Sequence, residues 1–137
     1  CKTRRQRQMC IRDRVNKAQE NIGDLKKSLI SGDLESFIHI VEQEALMLHA
    51  LMMTSKTPYI LFKPNTIQII NEVWSFRKET NLNLCFTLDA GANVHLLYPK
   101  NEEIEIKTFI EKNLSKFCNN KKYIHDLIGD GPKPRNE

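Results

Sequence analysis

The stretch 86–99 constrains the fold of this chain more than any other part of the sequence. An apolar segment runs into Asp89, three small residues follow at 90–92, and a second apolar segment leads away from them. Small residues between two apolar runs favour a tight connection between strands. The sequence therefore predicts a hairpin whose two strands span 83–89 and 93–98.

Asp89 is the candidate catalytic residue of this hairpin. A strand end can hold one carboxylate steady, and the small residues Ala90 and Gly91 leave room for a ligand to approach the backbone beside it. Asn93, which closes the turn, is a further candidate for contact with a ligand. The alternative is structural, because an aspartate before a turn commonly bonds its own backbone in an Asx-turn, and asparagine is common in turns for the same reason.

Four further segments predict helices, because their apolar residues recur at steps of three and four. They span approximately residues 14–31, 34–54, 66–80 and 104–117. Gly32 is suited to end the first helix and Asp33 to cap the second. The part of the second helix at 45–53 is apolar on nearly every face, which is typical of a helix buried on all sides and predicts a neighbour outside this chain. A last short strand is expected at 123–128, followed by an irregular tail.

Few strands among four helices predict an α+β fold, with the helices packed on one face of a small antiparallel sheet. The 137 residues suffice for one domain, and no run approaches the roughly twenty apolar residues of a membrane span. No two of the four cysteines form a Cys-x-x-Cys pair, so neither a zinc site nor a redox motif is indicated. Reduced thiols are the default state in the cytoplasm, which is the expected location.

The first thirteen residues differ from the rest of the chain. They show no apolar period and no cap, and residues 1–14 carry a net charge of +5, which leaves −1 on the remainder. A basic arm that binds RNA or a membrane surface is one interpretation. The string Arg7–Asp13 resembles the translation of a sequencing-library adaptor, so we expect 1–13 to be a non-native or disordered leader and the domain to span 14–137. Cys1 in place of an initiator methionine agrees with a truncated reading frame.

The histidines do not predict a metal site. His39 and His49 are ten residues apart and therefore lie on different faces of their helix, and His125 stands in a lone His–Asp pair. His49, within an apolar helix, is expected to be a hydrogen-bonded core residue. His95 alternates with Val94 along a strand and is expected to face solvent or a helix.

Five segments in chain order carry a resemblance to a known family. They are Ala18–Ile22, Glu44–Ala50, Phe76–Thr80, the run Asp-Ala-Gly-Ala-Asn at 89–93, and Ile128–Pro132. Together they resemble the C-terminal region of the mevalonate diphosphate decarboxylases, members of the GHMP kinase superfamily, over about residues 14–137. The family usually has proline where this chain has Ala92, and a proline would stiffen the turn after the carboxylate.

The resemblance implies a GHMP kinase C-terminal-like fold with a ferredoxin-like layer, and a place in isoprenoid biosynthesis. It implies that Asp89 faces the tertiary hydroxyl of mevalonate 5-diphosphate, either as a base or as a group that orients the hydroxyl. In the family, ATP phosphorylates that hydroxyl, and loss of the phosphate drives decarboxylation to isopentenyl diphosphate.

The same resemblance implies that this chain is one lobe of a larger enzyme. The sequence holds no Gly/Ser-rich phosphate loop. ATP, Mg²⁺ and the diphosphate are therefore expected to bind mainly to a missing N-terminal lobe, which is the expected partner, and the isolated fragment is expected to be inactive. A homodimer, and a monophosphate in place of the diphosphate substrate, are left open.

Two other classes of function stay open on the sequence alone. A small α+β layer can equally serve as a non-catalytic ligand-binding or regulatory module, because fold does not fix function. An RNA-binding module led by the basic arm is less favoured, because no exposed aromatic alternation accompanies the arginines. The nearly neutral charge of the remaining chain gives no reason to expect nucleic acid as a partner.

Overall fold

The structure is a computed structural model that describes the backbone of residues 4–129 and the side chains of residues 14–129. The elements in chain order are α1 Arg4–Ser31, α2 Leu34–Met53, α3 Pro64–Thr80, β1 Cys85–Leu88, β2 Val94–Leu97 and α4 Glu103–Phe109. A 3₁₀ turn at Lys100–Glu102 precedes α4. A π-helical segment at Ile110–Leu114 continues it, and 3₁₀ turns follow at Ser115–Phe117 and Asn119–Lys121.

The boundary between α1 and α2 lies where the sequence predicts it. Gly32 has a φ of +74°, in the left-handed region that ends a helix. The Asp33 side chain accepts a hydrogen bond of 3.1 Å from the backbone N–H of Ser36 and so caps α2. The backbone of α1 begins at Arg4, earlier than the expected start near residue 14. The side chains of 1–13 lie outside the described ones, so the leader stays a prediction.

The two strands form an antiparallel hairpin, with Cys85 opposite Leu97 and Leu88 opposite Val94. Helices α2 and α3 pack against β1, and the predicted α+β fold is confirmed. The core joins α2, α3, β1, α4 and the π-helical segment through ten buried side chains: Ala45, Ile70, Val73, Leu84, Phe86, Leu88, Ile106, Phe109, Ile110 and Leu114.

The strand predicted at 123–128 is wrong, because the segment is extended without regular structure. It is tied to the preceding helical region by polar contacts. The Tyr123 hydroxyl donates to Glu111 Oε1 at 3.3 Å, and His125 Nε2 lies 3.3 Å from Glu103 Oε1. A strand satisfies its backbone groups only beside a partner, and the sheet formed by the described residues contains β1 and β2 alone.

The second half of α2 is less buried than its composition predicts. Ala45 and His49 are buried, but Leu48 and Met53 are 37% and 38% exposed. Other exposed apolar side chains of the chain include Tyr59, Ile60 and Ile67. Despite this apolar character, none of the helices in the described part of the chain is long and apolar enough to cross a membrane.

Candidate functional site

Asp89 directly follows β1 and begins the loop 89–93 that leads to β2. Its side chain is 64% exposed, and Oδ2 lies 3.9 Å from Nε2 of His95 on β2. That separation is too long for a hydrogen bond. In the part of the chain whose side chains are described, no donor lies within hydrogen-bond distance of the carboxylate, so its oxygens are accessible to an incoming group.

Gly91 packs closely against the carboxylate of Asp89. A Cβ placed on Gly91 would lie 2.9 Å from Asp89 Oδ1, closer than non-bonded atoms approach. The φ of Gly91 is not positive, so glycine is not required here for backbone freedom, and a methyl group added at this position would push the exposed carboxylate aside. The room that the sequence assigns to a ligand is therefore taken up in part by the Asp89 side chain itself.

His49 of α2 holds the loop at its first residue. Its ring is 1% exposed and stacks on Phe62, with 4.2 Å between the ring centroids. Nε2 lies 3.0 Å from the backbone oxygen of Asp89. A carbonyl oxygen can only accept, so Nε2 carries the proton of this bond. The prediction of a hydrogen-bonded core histidine is confirmed.

Thr66, in the first turn of α3, holds the loop near its other end. Its hydroxyl donates to the backbone oxygen of Ala92 at 2.7 Å and accepts from the backbone N–H of Lys63 at 3.2 Å. The side chain is 2% exposed. Sequence reasoning missed this residue, because a threonine two places after Pro64 is typical of an ordinary helix start.

The other predicted site residues lie on the solvent side of the loop. Ala90 and Asn93 are exposed, Gly91 is half-buried, and His95 is exposed as expected for a side chain facing solvent. The hairpin thus brings Asp89, Asn93 and His95 to one end of the sheet. Contact of Ala90, Gly91 or Asn93 with a ligand stays a prediction.

The opposite end of β1 carries a buried ionic network that the sequence analysis did not identify. The Glu42 carboxylate on α2 accepts bonds from Arg77 Nη1 at 2.6 Å, Arg77 Nη2 at 3.0 Å and Trp74 Nε1 at 3.0 Å. Arg77 also donates to the backbone oxygen of Leu84 at 2.8 Å. Glu42 lies seven residues before His49, on the same face of α2, and this spacing was the available signal.

The network affects the pKa of the groups beside it. The hydrogen bond from Arg77 to Glu42 raises the pKa of the guanidinium above its usual value. Burial, reinforced by the charge of Glu42, raises the pKa of the Cys85 thiol to about 12. Cys85 therefore stays a protonated core residue at neutral pH, as the sequence predicts, and is not a nucleophile.

A cleft of about 870 Å³ opens beside this network and not beside Asp89. Its lining includes His39, Gln43 and Arg77, together with residues 81–83. The charge of Arg77 is already matched by Glu42. Glu35 is a further charged residue of the lining, but no cluster of charged groups among the described residues converges on the cleft, and we assign no ligand to it.

The residues whose side chains are described, 14–129, do not by themselves fit a magnesium–nucleotide site. Such a site needs several oxygen ligands for the metal and cationic or backbone N–H groups for the phosphates. Among residues 14–129, no group of three or more His, Cys, Asp or Glu side chains could hold a metal ion. Asp89 alone supplies one carboxylate, with His95 as the neighbouring basic group.

Comparison with known proteins gives consistent matches. The model of the family described as mevalonate 5-diphosphate decarboxylase C-terminal domain matches residues 5–134. The phosphomevalonate decarboxylase of Haloferax volcanii is 31% identical over 75 residues, which are 55% of this chain and 23% of that protein.

Solved structures agree with the fold. A mevalonate diphosphate decarboxylase from Legionella pneumophila matches with a TM-score of 0.70 and 29% identity, over 75% of this chain and 33% of that one. A structure described as MDDEF in complex with MVAPP, AMPPCP and magnesium matches with a TM-score of 0.71 and 22% identity, over 78% of this chain and 32% of that one. The chain thus spans about a third of the solved relatives' length and about a quarter of the curated relative's.

Proposed function

Because this chain belongs to the family of mevalonate 5-diphosphate decarboxylase C-terminal domains, we propose that it is the C-terminal lobe of a cytoplasmic, ATP-dependent decarboxylase. The proposed reaction converts mevalonate 5-diphosphate to isopentenyl diphosphate. The observation that carries the proposal is Asp89, whose exposed carboxylate lies at the end of β1 in the Asp-Ala-Gly-Ala-Asn turn.

In this proposal, Asp89 acts on the tertiary hydroxyl of the substrate. A tertiary alcohol is a poor nucleophile, and a positioned carboxylate assists it by accepting the hydroxyl proton or by orienting the hydroxyl as the phosphoryl group is transferred. The carboxylate suits either role because no group of the described residues occupies its oxygens by hydrogen bonding. Ala90, Gly91 and Asn93 are the neighbouring positions that we expect to contact substrate.

The remaining binding groups are proposed to belong to an N-terminal lobe outside this chain. The exposed apolar side chains of Leu48, Met53 and Ile60 support such a partner, because apolar surface left exposed on one domain commonly marks an interface. ATP and Mg²⁺ are proposed to bind mainly to that lobe. The AMPPCP and magnesium in the related solved structure support their participation in the complete enzyme.

Mevalonate 5-phosphate is the second candidate substrate. The curated relative at 31% identity is described as a phosphomevalonate decarboxylase. The two substrates differ by one phosphate, and the groups that would distinguish them are not among those around Asp89. Both substrates therefore belong in the test.

The test is carbon dioxide release by the complete protein that contains this lobe, with ATP and either mevalonate 5-diphosphate or mevalonate 5-phosphate. We expect ATP-dependent release from the diphosphate and none from residues 1–137 alone. Faster release from the monophosphate would change the substrate but keep the reaction. Release from neither substrate by the folded complete protein would favour the ligand-binding module. Release by residues 1–137 alone would refute the fragment proposal.

A further inference from the structure

The loop 89–93 is held by hydrogen bonds from two different helices. His49 of α2 donates to the backbone oxygen of Asp89, and Thr66 of α3 donates to the backbone oxygen of Ala92. The two bonds bracket four consecutive residues of a loop that contains no proline. We call this pair of bonds the loop clamp.

We propose that His49 and Thr66 are positioning residues, which fix where the Asp89 carboxylate stands by fixing the backbone on which it is carried. The proposal rests on the proposed function, because it takes Asp89 as the group that meets the substrate hydroxyl. Neither residue touches that hydroxyl in this proposal, since both act through backbone carbonyls.

The first support is that no side chain among residues 14–129 anchors the carboxylate by a hydrogen bond. It is 64% exposed and lies 3.9 Å from the nearest basic group, so its place depends on its own backbone and rotamer. The bond from His49 is made to the carbonyl of Asp89 itself, and it orients the peptide unit adjoining the Cα that bears the carboxylate. Gly91 leaves space for this rotamer, because a Cβ at that position would lie 2.9 Å from Asp89 Oδ1.

The second support is the burial of both clamp side chains. His49 and Thr66 are 1% and 2% exposed, and a buried polar side chain costs free energy unless its hydrogen bonds are made. Phenylalanine and valine have similar shapes and would fill the same two spaces without that cost. Histidine and threonine each add a hydrogen-bond donor, and both of them donate to the loop 89–93.

The third support is the identity of residue 92. Proline at this position would restrict the backbone covalently, and alanine does not. The hydroxyl of Thr66 bonds the carbonyl of that same residue at 2.7 Å. The hydrogen bond from Thr66 therefore restricts the backbone at residue 92, where no proline ring restricts it.

The experiment compares, in the complete enzyme, an isosteric variant without the donor and a conservative variant that keeps it. His49→Phe is paired with His49→Gln, and Thr66→Val with Thr66→Ser. The matched controls are His39→Phe and Thr108→Val, because His39 and Thr108 are exposed and lie away from the loop. The readouts are kcat, the KM for each substrate, and the melting temperature, with rates taken where every variant is folded.

We expect His49→Phe and Thr66→Val to lower kcat on the order of a hundred-fold with little change in KM, since a displacement of about 1 Å at a reacting group can cost that much. His49→Gln and Thr66→Ser should recover most of the loss, and both controls should behave as wild type. A merely structural role would lower the melting temperature and leave the kcat of the folded enzyme unchanged.

The outcomes separate this proposal from the one on which it rests. If Asp89→Asn abolishes turnover while folded His49→Phe and Thr66→Val keep wild-type kcat, the loop clamp is wrong and the catalytic role of Asp89 stands. If Asp89→Asn itself keeps turnover, the catalytic role of Asp89 fails, and the loop clamp loses the premise on which it rests. Should Thr66→Val not fold, Thr66→Ala removes the hydroxyl in a smaller side chain. Failure of both to fold rejects the positioning role of Thr66 in favour of a structural one.

Discussion

An acidic side chain lies near each end of strand β1, and the two side chains differ in their burial and in their hydrogen bonds. Glu42, beside the first residues of the strand, is 9% exposed and accepts hydrogen bonds from Arg77, Trp74 and the backbone of Phe86. Asp89, just after the last residue, is 64% exposed, and the described residues hold it through its backbone oxygen. A buried charge is tolerated only when its hydrogen bonds and ion pairs are made, so Glu42 has a structural role. The exposed carboxylate of Asp89, by contrast, is accessible to a substrate.

The same contrast shows why the position of a cleft does not by itself identify the candidate site in this chain. The 870 Å³ cleft lies beside Glu42 and Arg77, whose charges are already paired. The exposed Asp89 carboxylate does not line that cleft, and in the proposed function the rest of its site belongs to another lobe. Variants near each end of β1 test whether Glu42 serves a structural role and Asp89 a functional one.

The largest effect on stability is expected from Arg77→Met, which leaves Glu42 buried without its cation. The free energy of unfolding should fall by about 3 kcal/mol, at the lower end of the range for breaking a buried pair, because Arg77 keeps some contact with solvent. Urea denaturation measures this change. Lys27→Met, which breaks the exposed pair of Lys27 with Asp24, is the control and should change little.

A double variant tests whether the unpaired charge of Glu42 causes the loss of stability. Glu42→Gln combined with Arg77→Met keeps an acceptor for Trp74 and removes the uncompensated charge, so it should recover part of the lost stability. If Arg77→Met is as mild as Lys27→Met, the ion pair of Glu42 and Arg77 does not stabilise the start of β1, and the structural role given to Glu42 is wrong.

The next effect is expected from Gly91→Ala, and it should fall on activity and not on stability. The added methyl group would meet Asp89 Oδ1 at 2.9 Å, and the exposed carboxylate can move away at little cost. We expect an unchanged or slightly raised melting temperature, because alanine restricts the unfolded chain, and a kcat reduced on the order of a hundred-fold in the complete enzyme. Full activity in this variant would show that the position of the carboxylate is not critical.

The smallest effect is expected from deletion of residues 1–13. The first described anchor of α1 is Arg14, whose guanidinium pairs with Glu44 of α2. The melting temperature should stay unchanged on deletion, while Arg14→Met should lower it, because Glu44 then loses its cation. A fall of several degrees on deletion would show that the leader is part of the folded domain.

Local signals predicted most of the fold. The left-handed glycine at Gly32, the cap at Asp33 and the apolar run around the small residues 90–92 placed α2 and the hairpin close to their observed bounds. The strand at 123–128 failed because local composition cannot say whether a partner strand is present. Its apolar residues Ile124 and Ile128 are almost fully exposed in this chain.

The site was predictable only in part, for a similar reason. Asp89 stands in a local motif, and the burial of His49 follows from its place on an apolar helix. The partner of His49 is forty residues away and that of Thr66 is twenty-six residues away, so neither bond has a local signal. Glu42 and Arg77 are thirty-five residues apart, and each alone resembles an ordinary surface charge.

The catalytic role of Asp89 is tested most directly by Asp89→Asn in the complete enzyme, with carbon dioxide release and thermal stability measured on the same preparation. Asparagine keeps the size of the side chain and the bonds that a turn residue makes, but it cannot accept the hydroxyl proton. We predict a loss of turnover of about a hundred- to ten-thousand-fold, with ATP affinity and melting temperature nearly unchanged. Near-normal carbon dioxide release, or a melting temperature lowered as far as by Arg77→Met, would contradict it and leave Asp89 as a residue of the turn.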